Sequence, residues 1–215
     1  MTPARVTAIS GIVFVVLFAA GVVAIGEAFG SFGDSDATFV EYYRDDHPLD
    51  VLGAYLITLA GVAFLRFVVG VCGDATADRE TRTAAIMAVL SGAVFVALLA
   101  AAVAAAATIP ASRLYGEIFS DEGQIATDVS TLPQLGFVFL YLPGAIFASA
   151  SVASMALVMR RESVLPAWVA RFGFVTAVLL LASFFFMPLV ALPLWVLAAS
   201  VAMLRAESHN ARATK

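Results

Sequence analysis

Apolar runs long enough to cross a lipid bilayer make up most of this chain. A helix crosses a hydrocarbon core about 30 Å thick with roughly 17 to 25 residues. The sequence offers such runs at about 6–26, 51–72, 84–108 and 135–159. The last apolar block, 167–204, is too long for one crossing. Met187-Pro188 and Pro193 divide it into a fifth run, to about residue 186, and a sixth, from about 189 to 204. A re-entrant hairpin has much the same composition as this final pair. Only 13% of the residues are charged and the mean hydropathy is +0.97, whereas a water-facing surface needs about a quarter charged. The fold expected is therefore all-α: a single transmembrane domain, residues 1–215, of six membrane helices.

The loops between the runs set an orientation, because basic residues are retained on the cytoplasmic side. With the amino terminus inside, the inner segments collect Arg5, Arg79, Arg82, Arg160, Arg161, Arg171, Arg205, Arg212 and Lys215, and the outer loops only Arg44 and Arg113. The acids run the other way, with Asp34, Asp36, Glu41, Asp45, Asp46 and Asp50 in the first outer loop. An even number of crossings with both ends in the cytoplasm of a bacterial plasma membrane is expected. Arg5 followed by an apolar run and the small residues Ala24 and Gly26 also fits a cleaved signal peptide. The charge count works with the run retained, and that is the reading adopted. A net charge of -4 gives no general affinity for nucleic acid. One cysteine, Cys72, rules out an internal disulfide.

The most polar stretch is "DATFVEYYRDDHPLD", residues 36–50. Its cap candidates Asp36 and Thr38, and Phe39, Val40 and Tyr43 on one face, predict a short outer amphipathic helix near 38–45, ended by His47-Pro48. Asp45, Asp46, His47 and Asp50 are oxygen and imidazole ligands of the kind a divalent cation accepts. Adjacent helical residues point in different directions, however, and no zinc-type histidine pair is present, so an anchoring role for the stretch comes first.

Within the runs, Arg66 is the main ionisable residue. It lies about 24 Å of helix below Asp50, where its stem can snorkel to the inner surface or turn inward toward an anionic ligand. In the fourth run Pro143 removes a backbone donor and predicts a kink near Phe139; flanked by Tyr141 and Gly144, that kink could border a small cavity. Arg66, Tyr141 and Pro143 are the candidate ligand-binding residues. Both histidines, His47 and His209, lie outside the runs and the runs hold no lysine, so haem held by two histidines and a retinal Schiff base are excluded. No nucleophile elbow, zincin motif or phosphate-binding glycine loop occurs. No cofactor and no enzyme activity are expected.

Alanine in the third run, and Gly136, Gly144, Ser149, Ser151 and Ser154 in the fourth, permit close helix approach. A faint repeat pairs "AGVAFLR" (60–66) with "ASVAMLR" (199–205), matches that are cheap among such residues. The six runs, "FVEYYRDD", "LGAYL", "LPAWVARFG" and the closing "PLVALPLWVLAASVAML" together resemble small polytopic membrane proteins, common in actinobacteria, grouped under a domain of unknown function. That resemblance implies the topology and no activity. The function expected is a non-enzymatic membrane protein acting through helix contacts with lipids and with copies of itself or another membrane protein. The alternatives are a small transporter or channel for a lipid-like or apolar solute and, more weakly, an outer-surface cation sensor.

Overall fold

The computed structural model describes residues 1–25, 48–73, 78–115, 131–163, 165–184 and 188–213. Among the described residues every regular element is helical. Six helices follow the apolar runs: α1 (Pro3–Ile25), α2 (Pro48–Cys72), α3 (Arg79–Tyr115), α4 (Thr131–Arg161), α5 (Ala167–Leu181) and α6 (Ala191–Ala213). All except α5 are long and apolar enough to cross a membrane. At 15 residues α5 rises only about 22 Å. The expected fifth span to residue 186 is thus shortened: its α-helical part ends at Leu181 and a 3₁₀ turn, Ala182–Phe184, follows. A second 3₁₀ turn, Pro188–Val190, leads into α6. The third helix continues beyond the expected residue 108 to Tyr115, with Pro110 inside it. The outer helix expected near 38–45 lies outside the described residues.

Each helix packs on its neighbours in chain order, and α6 returns to pack on α1, so the six form a closed ring. Large side chains fill its middle. Phe64 of α2 lies 5.2 Å from Phe14 and 5.7 Å from Phe95, ring centre to ring centre, and Phe67 meets Trp195 edge-on at 6.4 Å. All five are almost wholly buried. Offset and edge-on aromatic pairs of this kind add to simple packing because the ring edge is positive and the face negative. The periphery is apolar as well: Val16, Val23, Val62, Leu90, Val178 and Leu194 are all more than half exposed. A soluble bundle hides such residues. Five long apolar helices with an apolar periphery make this a multi-pass membrane protein.

Between α1 and α2 the backbones nearly touch. A Cβ added to Gly53 would stand 2.5 Å from the Ile25 nitrogen and 2.7 Å from the Gly21 carbonyl oxygen. Without a hydrophobic force between helices in lipid, such close approach through small residues is a main source of attraction. Serine hydroxyls serve the same end on α4. Ser151 donates to the Ala88 carbonyl on α3 at 2.9 Å, and Ser149 to the Ala177 carbonyl on α5 at 2.8 Å.

Candidate functional site

Irregular backbone at membrane depth is tolerated only where protein covers it or where it lines a cavity. Three such segments come together here. Within α4, Leu140–Gly144 forms a π turn, the local solution to Pro143. Proline offers no N–H to the carbonyl four residues back, and the wider i→i+5 pairing of a π turn bypasses that position. Gly144 is seated so closely on the Phe139 carbonyl that a Cβ would lie 2.7 Å from its oxygen. The π turn packs against the 3₁₀ turn Ala182–Phe184, which packs in turn against Pro188–Val190. The junction lies about 28 Å along α4 from Arg161, toward the end of the ring away from Arg160 and Arg161.

The side chains at this junction are aromatic and hydroxylic. Tyr141 is half-buried and stacks on Phe137 with ring centres 4.8 Å apart and planes 18° from parallel. Thr176 and Ser183 lie seven residues apart, two turns along one face of α5 and its 3₁₀ extension. Both hydroxyls are buried and find no hydrogen-bond partner among the described residues. Buried hydroxyls are normally bonded, and those left over mark places where a polar group of something else can be received. None of the segments meeting here carries an acid, a base or a cysteine. The junction can hold a neutral polar atom against an aromatic face.

Of the residues singled out from the sequence, Tyr141 and Pro143 belong to this junction. Arg66 does not. It is exposed on α2, on a face turned away from the fully buried Phe64 and Phe67, where its stem can reach the membrane boundary. The helix thus carries it out of the ring rather than toward Tyr141. Among the proposed cation ligands, Asp45, Asp46 and His47 lie outside the described residues. Asp50 is 2% exposed in the first turn of α2 and takes part in a polar interaction, a position where the helix dipole favours a carboxylate. Among the described residues no group of three His, Cys, Asp or Glu is placed to hold a metal ion.

Sequence reasoning missed Thr176 and Ser183, whose spacing of seven in an apolar helix was the available signal. It also missed a lateral groove between α5 and α6 that Trp168 and Arg205 border.

At the end of the bundle where α3 begins, Asp78 caps that helix. Its Oδ1 accepts the Thr81 amide at 2.6 Å, and its Oδ2 accepts Arg161 Nη1 at 3.1 Å. Arg161 also pairs with Glu80. The Thr81 amide first, and the guanidinium after it, hold the Asp78 carboxyl below its usual range.

No family model matches the chain, and neither a curated protein nor a solved structure matches it.

Proposed function

We propose that this chain is a membrane protein without catalysis of its own that works through lateral helix contacts, as a homo-oligomer or as an accessory subunit of a larger membrane assembly. The observation that carries this reading is the division of alanines on α3. Ala88, Ala102 and Ala106 are wholly buried against neighbouring helices, whereas Ala93, Ala97, Ala101 and Ala104 form an exposed row on the other side. Small residues spaced by about four on an outward face let a second helix approach closely, where packing and interhelical polar contacts supply the attraction that lipid does not. In this reading both termini are cytoplasmic, the membrane is a bacterial plasma membrane, and α5 and α6 complete six crossings, as in the small polytopic proteins the sequence resembles.

The decisive measurement is native mass spectrometry of the protein released from membranes into mild detergent. A multiple of the chain mass, or a fixed partner, is expected. Ala97→Leu with Ala101→Leu should remove that partner without altering the melting temperature. A lone monomer in repeated preparations would overturn the reading.

A second reading, binding or transport of a lipid-like or apolar solute, is favoured by the junction of the π and 3₁₀ turns, with the unpaired hydroxyl of Ser183 in it and that of Thr176 two turns away along α5. Transporters place their substrates where helices are broken and irregular backbone lines a cavity. The aromatic filling of the ring argues for lateral entry at that junction over a central pore. Pro143→Ala and the double variant Thr176→Val, Ser183→Ala should then abolish any stabilisation by solute. Unchanged behaviour in both would sink this second reading.

A further inference from the structure

The groove between α5 and α6 has a shape and a charge that the lateral-contact reading does not use. Its volume is about 660 Å³, and it opens on the periphery of the ring across from α3. Trp168 and Leu194 on its walls are each more than half exposed, and Leu197 and Val201 continue the apolar wall between them. At one end stands Arg205, the only charged residue among the described residues that line it. The guanidinium is exposed and has no carboxylate within ion-pair distance among the described residues. The acid nearest in sequence is engaged elsewhere: Glu207 accepts a hydrogen bond from the Thr2 hydroxyl, at the start of α1.

The groove is held open by the fold. Trp195, on the buried side of α6, donates its indole N–H to the Val169 carbonyl of α5 at 3.1 Å. That bond fixes the two helices on their inner sides, while on the outside they part around small residues, Ala198 and Ala202. From Leu194 to Arg205 is eleven residues, about 16 Å of helix. This is close to half of a 30 Å hydrocarbon core, the depth of one leaflet. Indole and guanidinium at the shallow end are the side chains that settle at headgroup level. Arg205 also shares its end of the bundle with Arg160 and Arg161, both exposed.

We propose that this groove is a binding site for one anionic phospholipid, with an acyl chain lying along Leu194, Leu197 and Val201 and the headgroup phosphate accepting hydrogen bonds from Arg205. A guanidinium presents its donors in a planar fork that matches a phosphate, which an ammonium does not. A zwitterionic lipid offers the same chain and phosphate but sets a cationic group beside them, which Arg205 repels, so the site favours a lipid with net negative charge. The site lies on helices other than α3 and stands independently of any association through the alanine row.

The test uses the full chain in mild detergent, stripped of lipid and titrated with phosphatidylglycerol or phosphatidylcholine, with bound lipid counted by native mass spectrometry. One phosphatidylglycerol is expected to be retained, and phosphatidylcholine about tenfold less tightly. Arg205→Ala should erase that preference, with Arg205→Lys restoring part of it. Arg160→Ala, which removes an exposed charge at the same end but away from the groove, should leave it intact. Ala198→Phe should block retention by filling the groove, and its melting temperature reads whether the fold survives. Equal retention of the two lipids would overturn the proposal, as would equal loss in Arg205→Ala and Arg160→Ala. So would a dimer that Ala198→Phe dissociates, since a second copy of the chain would then be the occupant.

Discussion

The α1–α2 hairpin and the α5–α6 hairpin are made of the same kinds of residue and packed in opposite ways. In the first, helices of 23 and 25 residues run side by side with their backbones brought together at Gly21 and Gly53. In the second, α5 has 15 residues, 3₁₀ turns replace its continuation, and the pair meets less extensively. Even the local sequence is shared. "AGVAFLR" in α2 and "ASVAMLR" in α6 both bury their first alanine fully and expose their last arginine. Arg66 stands on an exposed face of α2, whereas Arg205 borders a groove between α5 and α6. Separation of the helices, more than composition, therefore sets the two hairpins apart.

Removing what holds the looser hairpin together should have the largest effect. Trp195 is fully buried, meets Phe67, and bonds α5 through Val169. Trp195→Ala is expected to cost about 3–5 kcal/mol, the range for deleting a large core aromatic. It should also collapse or reshape the groove, so that lipid retention and stability fall together in reversible unfolding from detergent. Trp195→Phe separates the terms: it keeps most of the packing and should lose about 1 kcal/mol for the hydrogen bond.

Next in size is the converse change in the tighter hairpin. Gly53→Ala forces a methyl against backbone atoms of α1 that cannot rotate aside, and overpacking of this kind costs about 1–3 kcal/mol. In the groove, Ala198→Val adds more volume and should change stability by less than about 0.5 kcal/mol, since it grows into open space. If both substitutions were equally tolerated, the contrast between the hairpins would fail.

The two hairpins also differ in how far they were legible in the sequence. Crossing length is a direct demand of the bilayer, so α1 through α4 and α6 could be placed from apolar runs alone. The end of α5 could not. Residues 182–187, "ASFFFM", are as apolar as the helix before them, yet the α-helix ends at Leu181. Pro143 announced a break, because a missing N–H is written in the residue itself. That the break is a π turn seated against the 3₁₀ turn of α5 is tertiary information. The same holds for Thr176 and Ser183, whose interest lies in burial without a partner, and for the groove, which exists only because α5 and α6 part. Arg66 and Arg205 look alike in sequence, and only their neighbours tell them apart.

The serines of α4 give a smaller effect that probes both sides of the ring. Ser149→Ala removes a bond to α5 and Ser151→Ala a bond to α3. Interhelical hydrogen bonds in membranes average about 0.6 kcal/mol, with a maximum near 1.7. Ser149→Ala should weaken the α5–α6 side selectively, read as faster hydrogen exchange in α5. Ser151→Ala should leave that exchange rate alone. Equal acceleration by both would mean that the ring unfolds as one unit and that the looser hairpin is no separate element.

The smallest expected effect concerns how the basic end is secured. There α3 and α4 are tied by Arg161 with Asp78 and Glu80, whereas beside Arg205 no such pair occurs among the described residues. Asp78 is half exposed, so the tie is weak and screened by salt. Its folded carboxyl lies below the ordinary value near 3.8. A depressed carboxyl contributes stability that is fully present above the unfolded value and disappears as pH falls through the folded one. Asp78→Asn keeps a side-chain oxygen able to cap α3 and deletes only the charge. The melting temperature of the natural chain should therefore exceed that of Asp78→Asn by a constant small margin from pH 8 down to about pH 5, and the margin should close below about pH 4. Added salt should narrow it at neutral pH. A margin that persists in acid would assign Asp78 a packing role in place of a charge, and the two sides of the basic end would then differ in shape alone.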